Sequence, residues 1–242
     1  MKFVRGGLQM TTIRDCIAPD RNPKVPSIKL PKGSIDTHVH IFESQYPLFE
    51  GRGYNPPDST LDDLKHLHSQ LGVSRVVYTQ PSPYGVDNSA ILKGMKVMND
   101  ETPGRARGVC AIKMDVSDDF LEDLDKQGIK GVRLNMDNIG GMPIGLDEIP
   151  TLEARIKDLG WHVEYLFPGK DIVELAPIFK KSSVPISIAH FAYQPATNGI
   201  NSEGFKTLLD LVREGNTWIK ISGANRVSET DLPPYDDVMP MA

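Results

Sequence analysis

Ile35-Asp36-Thr37-His38-Val39-His40 is the stretch on which the reading of this chain turns. An apolar, β-branched run closing in a His-x-His pair predicts a strand over 35–39. Side chains two apart on a strand share a face, so His38 and His40 can present both imidazoles to one metal ion or one substrate. A bare His-x-His is a weak signal. At the C-terminal end of the first strand of a (β/α) barrel, the rim where such folds place their chemistry, it becomes a strong one.

The sequence that follows has the barrel rhythm. Further strands are expected at 75–79, 108–112, 131–134, 162–166, 185–189 and 218–222, each starting 23 to 40 residues after the last, the size of a βα unit. Runs such as Arg75-Val76-Val77-Tyr78 and Pro185-Ile186-Ser187-Ile188-Ala189 are continuous rather than alternating, which suits parallel strands covered outside by helices. Helices are expected between them. Thr60 with Asp63 forms a capping box ahead of the Leu61, Leu64, Leu67 and Leu71 stripe, which Gly72 ends. Ser117 opens a second helix that closes at Gly128, and Ser202 opens another that closes at Gly215; spans 147–159 and 171–181 supply two more. No Gly-rich phosphate fingerprint follows the first strand, so a barrel is favoured over a doubly wound sheet.

Composition sets the outer bounds. The chain has 242 residues, with 27 basic and 32 acidic side chains for a net charge of -5, and 39% hydrophobic residues. That is ordinary globular usage, which excludes disorder, collagen and a disulfide scaffold. It also lacks the basic block of a general nucleic-acid binder. Cys16 and Cys110 are the two cysteines, a sparseness that points to a reduced, cytoplasmic protein. No run reaches the roughly 18 apolar residues of a membrane span. Residues 1–33, broken by Pro19, Pro23, Pro26 and Pro31, are expected as a loose arm over a barrel that occupies 34–242.

Several further residues fall at the expected rim. His190 ends the sixth strand, either as a core histidine or as a third imidazole converging on His38 and His40. Arg133 and Asn135 share one face of the fourth strand, and Arg133 has two readings: a partner for a substrate carboxylate, or a rim ion pair with Asp137 or Glu164. The turn-rich segment from Gln80 through Ser82 to Asn88 follows the second strand. Arg226 follows the seventh, and Gly51-Arg52-Gly53-Tyr54 follows the first, where it could close over the mouth. His66 and His68, on the first helix, read as surface residues. There is no Gly-x-Ser-x-Gly elbow and no Cys with a partnering His motif, so water activation is favoured over a covalent Ser or Cys nucleophile.

These blocks in order resemble the lactonase-like branch of the amidohydrolase superfamily. The resemblance runs from about Ser34 to Ala242 and is carried by Asp36-Thr37-His38-Val39-His40, Gly51-Arg52-Gly53-Tyr54, Gln80-Pro81-Ser82 with Tyr84-Gly85 and Asp87-Asn88, Gly131-Val132-Arg133-Leu134-Asn135, Gly160-Trp161-His162-Val163, Lys220-Ile221-Ser222-Gly223 and Pro234-Tyr235. It implies an α/β fold, a distorted (β/α)8 TIM-type barrel, and an enzyme that hydrolyses or isomerises a small carboxylated lactone. His38, His40 and His190 would surround the lactone carbonyl, holding one divalent metal (zinc) or none. Arg133, Ser82, Tyr54 and Arg226, with Asn135 beside Arg133, would bind carboxylate and hydroxyl groups.

Two departures from the family pattern shape the expectation. Where the pyrone lactonase type carries extra basic residues, this chain has Asn138-Ile139-Gly140-Gly141 and Phe191-Ala192-Tyr193, which points to a substrate with fewer carboxylates, such as a sugar-acid lactone. The family's eighth strand ends in an aspartate that serves as general base, and about seven of eight strands are legible here, with Asp236 and Asp237 lying before that position. A barrel one strand short would expose the edges of its first and seventh strands. Impaired catalysis, or a non-catalytic binding role, is therefore carried as the alternative, with a metal-dependent decarboxylase as a weaker third.

Overall fold

The computed structural model describes residues 13–136 and 143–242. Nine strands are described in chain order: β1 (Arg14–Asp15), β2 (Ile35–Val39), β3 (Tyr54–Asn55), β4 (Arg75–Thr79), β5 (Ala106–Cys110), β6 (Ile129–Asn135), β7 (His162–Leu166), β8 (Ile186–Ile188) and β9 (Thr217–Ile219). Seven form one parallel sheet in the order β2-β4-β5-β6-β7-β8-β9, each pairing with its successor in sequence. The sheet curls so far that Lys220, just past β9, donates from Nζ to the carbonyl of Thr37 on β2 at 3.0 Å. β2 and β9 are its end strands, and Trp218 and Ile221 beside the β9 edge are exposed. Among the described residues no helix is long and apolar enough to cross a membrane.

Among the described residues six α-helices cover the outside: α1 (Leu61–Leu71), α2 (Ser89–Glu101), α3 (Asp118–Lys126), α4 (Ile149–Ile156), α5 (Ile172–Phe179) and α6 (Glu203–Arg213). Each of α1, α3 and α6 starts at the residue its cap dictates. Thr60 accepts from Asp63 N with the reciprocal bond present, and Ser117 and Ser202 accept from Phe120 N and Phe205 N. The helices bury one stripe each against the sheet, closing a core that includes Tyr78, Met95, Met98, Trp161, Tyr165 and Phe167.

Three features differ from the sequence reading. Helix α2, not among the expected spans, lacks a side-chain cap because Asn88 spends its amide elsewhere, bonding the N–H and C=O of Ala111 at 2.9 and 2.8 Å. Those two bonds take over Ala111's backbone groups, so β5 ends at Cys110, two residues before the expected 112. His68 is buried rather than on the surface, with Nε2 3.2 Å from Asp36 Oδ2, because α1 packs that face on β2.

The third feature is the turn after β8, which ends both β8 and β9 early. His190, Phe191, Ala192 and Tyr193 have φ of 52°, 53°, 51° and 50°, four consecutive non-glycine residues in the left-handed region. Each such residue costs about 1–2 kcal/mol, so the surroundings must over-determine the turn. Phe191 N donates to the Lys220 carbonyl, and buried Gln194 donates from Nε2 to Gly169 O at 2.6 Å. Gly169 lies so close that a Cβ there would sit 2.1 Å from Tyr193 O, and one on Gly204 would sit 2.2 Å from Gln194 Oε1. Gly169→Ala is therefore expected to lower Tm by at least about 4 °C, the shift that goes with roughly 2 kcal/mol in a domain of this size, and to weaken ligand binding through His190; calorimetry and ligand titration check both.

Candidate active site

At the C-terminal ends of the sheet strands lies a cavity of about 380 Å³ lined by Arg14, Cys16, His40, Gly53, Tyr54, Ser82, Arg133, Asn135, Leu166, His190, Tyr193 and Arg226. His38 packs against two of these lining rings, its centroid 5.0 Å from that of His40 and 4.8 Å from that of His190. The period-two geometry of β2 sends His38 and His40 the same way, and the left-handed turn swings His190 over to meet them. The residues singled out in the sequence thus come together at one place.

Hydrogen-bond partners fix the protonation pattern of two of the imidazoles, His40 and His38. His40 Nδ1 lies 2.8 Å from the carbonyl of Thr79, which can only accept, so Nδ1 carries the proton and Nε2 a lone pair. His38 is the reverse. Its Nδ1 accepts from the Lys220 ammonium at 3.0 Å, with Glu164 Oε1 farther off at 3.6 Å, so its proton is on Nε2. That buried Nε2–H has no hydrogen-bond partner among the described residues. His190 Nδ1 pairs with Ser222 Oγ at 2.9 Å, and Gly223 leaves room for the ring.

Charge reinforces the pattern. Burial, then the neighbouring His40, Lys220 and Arg133, hold the His38 imidazole well below its usual range. Burial and Arg133 lower His40 to about 3 against the Thr79 carbonyl, and burial with Arg226 and Arg133 lowers His190 to about 4. All three imidazoles are neutral at pH 7. Beneath them the fully buried Glu164 carboxylate pairs with Lys220 Nζ through one oxygen and approaches Arg133 Nε at 3.5 Å through the other. Arg133 Nη1 also donates to Gln80 O at 2.9 Å, so the Arg133–Glu164 ion pair and a cavity-lining position coexist in one side chain; Asp137 lies outside the described residues. The Tyr54 phenol is raised by burial against the lowering effect of Arg133, Arg226 and the Ser82 side chain. Arg226 stacks 5.8 Å over the Tyr193 ring and donates to its hydroxyl.

The same bonds test the histidines as a metal site. Three imidazoles ligating one cation would each need a free lone pair, whereas both nitrogens of His38 are occupied, Nδ1 as acceptor from Lys220 and Nε2 by its proton, and the Lys220 and Arg133 charges act on the ring. The side chains as placed do not fit such an ion, and among the described residues no three His, Cys, Asp or Glu side chains are arranged to hold one. The acidic residues near the C-terminus stand apart from the cavity: Asp237 accepts from Ser228 Oγ at 2.7 Å and from Glu229 N at 2.9 Å. Sequence reasoning missed Lys220 and Arg14. Lys220 had a signal, a lone charge in the apolar run Trp218-Ile219-Lys220-Ile221, which in a covered strand must find a buried partner.

Because the folded-state pKa values of these histidines lie below the unfolded value near 6.5, the unfolded chain binds protons that the folded chain refuses. Their contribution is complete above about pH 6.5 and is lost as pH falls below it. Urea midpoints are expected to fall between pH 6.5 and 5, with His38 and His40 each adding a slope of up to about 1.4 kcal/mol per pH unit, and His40→Asn is expected to flatten that slope.

Comparison with known proteins adds the lineage. The chain is 34% identical over 231 residues to a 2-pyrone-4,6-dicarboxylate hydrolase of Comamonas testosteroni, a match spanning 91% of this chain and 74% of that protein. It is 28% identical over 217 residues to a D-galactarolactone isomerase of Agrobacterium fabrum, spanning 88% and 71%. Among solved structures it superposes with a TM-score of 0.73, at 28% identity and over 86% of this chain and 76% of the other, on a probable 2-pyrone-4,6-dicarboxylic acid hydrolase of Acinetobacter baumannii with citric acid bound. The amidohydrolase family model matches residues 35–240, nearly the whole strand-and-helix array that builds the cavity, and the chain belongs to that family.

Proposed function

We propose that the chain acts on a small carboxylated lactone, hydrolysing it in the first reading and isomerising it in the second. The observation that carries this reading is the division of labour in the cavity: neutral imidazoles beside guanidinium groups, with no carboxylate among the described lining residues. Arg133 and Arg226 hold the substrate carboxylate through charge-assisted hydrogen bonds. Tyr54, Ser82 and Asn135 take its other oxygens. In this reading the unpartnered His38 Nε2–H is the donor assigned to the ring carbonyl oxygen, which gathers charge as water attacks and is where a fixed donor lowers a barrier most. His40 and His190 complete the polar wall around that carbonyl. In hydrolysis the water oxygen bonds to the carbonyl carbon, the ring C–O bond breaks, one water proton ends on the released ring oxygen as a hydroxyl, and the other passes to solvent as the new carboxyl group ionises. In isomerisation a substrate hydroxyl takes the place of water, a reading supported by the isomerase relative.

We favour the metal-free version, on the tautomer of His38. Cys16 and Cys110 are both free thiols, which fits a reducing compartment, and we place the reaction in the cytoplasm.

The test is turnover of 2-pyrone-4,6-dicarboxylate and D-galactarolactone by the purified chain. Arg133→Met is expected to weaken binding by about 10- to 100-fold, the cost of losing a charge-assisted contact of about 1.5–3 kcal/mol. Chelator treatment is expected to leave turnover unchanged. Binding of neither lactone would overturn the reading, and a loss of activity on chelation that zinc restores would overturn its metal-free form.

A further inference from the structure

The cavity has a wall that the strand-and-helix array does not supply. Arg14–Asp15 pairs in parallel with Tyr54–Asn55, in the register Arg14↔Tyr54 and Asp15↔Asn55. The pairing is extended by Cys16 N donating to Asn55 O at 3.0 Å. Side chains lock it: Asn55 Nδ2 donates to Asp15 Oδ1 at 2.9 Å, and Arg52 Nε donates to Asn55 Oδ1 at 2.8 Å. An arm read from its prolines as loose is therefore tied, at residues 14–16, to the loop that carries Tyr54 over the mouth. This ladder puts Arg14 and Cys16 on the cavity wall with Arg133, His190 and Arg226.

The charge balance of the cavity gives that placement a consequence. Around and beneath it stand four cations, Arg14, Arg133, Lys220 and Arg226, against one carboxylate, Glu164, which is already shared by Arg133 and Lys220. Among the described residues no carboxylate pairs with Arg14 or Arg226. In a chain of net charge -5, two exposed guanidiniums facing one cavity without a counter-anion mark a site for anions. One carboxylate on the substrate would satisfy Arg133 and Arg226, whose charges both reach Tyr54 and His190, and leave Arg14 unmatched.

We propose that the N-terminal arm is a specificity element: Arg14 binds a second anionic group, so that the site prefers lactones bearing two anionic groups over those bearing one. This rests on the lactone reading above and reverses the expectation of a less carboxylated substrate. The cations absent after the fourth and sixth strands are compensated from a part of the chain outside the barrel.

The test titrates the full chain and its Arg14→Gln variant with 2-pyrone-4,6-dicarboxylate, which carries two carboxylates, and with D-galactarolactone, which carries one, and follows turnover in parallel. Arg14 is exposed and its removal leaves the backbone ladder in place. Arg14→Gln is expected to weaken the dicarboxylate about 10-fold, as loss of one charge-assisted contact does, and the monocarboxylate less than about twofold. Arg14→Lys is expected to restore most of the difference, and Lys24→Gln, elsewhere on the arm, to change neither. Equal weakening of both lactones, or of neither, would overturn the arm's role. If Arg14 sets the preference in binding but neither lactone is opened or rearranged, the arm's role stands and the lactone chemistry falls. Failure of the parent chain to bind the dicarboxylate removes both.

Discussion

Glu164 carries its carboxylate into the interior of the sheet with no exposure to solvent, and three groups from three other strands or strand ends meet it there: Lys220, Arg133 and His38. A buried charge is tolerated only when paired and hydrogen-bonded, so this carboxylate makes it possible to keep two cations at the floor of the cavity. Lys220, held by Glu164, in turn reaches the Thr37 carbonyl and His38 Nδ1, tying the region after β9 back to β2 across the open side of the sheet. One anion thus fixes the tautomer of His38, the orientation of Arg133 and the approach of the two end strands. The arrangement is coupled, and changing Glu164, Lys220 or Arg133 alone leaves an uncompensated charge behind.

Positive charge and proton-donating capacity are separated in this site. The imidazoles are half-buried among cations and are neutral, and those of His38 and His40 act as fixed dipoles whose direction their hydrogen bonds set. The guanidiniums supply the charge. A cavity in which all these groups were charged would repel itself; one in which none were would have no purchase on an anionic ligand. The left-handed turn from His190 to Tyr193 serves the same end. It brings His190 to the cluster and stacks Tyr193 under Arg226, and its backbone cost is carried by buried Gln194 packed against two glycines.

The fold was legible in the sequence because its determinants are local. Continuous β-branched runs, the Thr60–Asp63 capping box, and Ser117 and Ser202 as caps each declare an element within a few residues, and the spacing of the runs declares the parallel order. Helix α2 was not legible, because its capping residue Asn88 is committed to Ala111, 23 residues away. His68 was misread as a surface residue because the identity of its partner, Asp36, depends on how α1 docks on β2.

The sequence by itself determined which side chains stand at the strand ends, since period-two alternation and the polarity of a parallel array place His38, His40, Arg133, Asn135 and His190 on one rim without knowledge of any contact. Only the tertiary structure decided what those side chains are chemically. Which nitrogen of His38 bears the proton depends on Lys220, 182 residues away, and the number of cations facing the cavity depends on an arm that pairs with a loop 40 residues on. Such properties arise from groups made neighbours by folding. The local pattern of a chain carries no record of them, because the energy of a buried charge or a donor is set by what surrounds it and not by what precedes it.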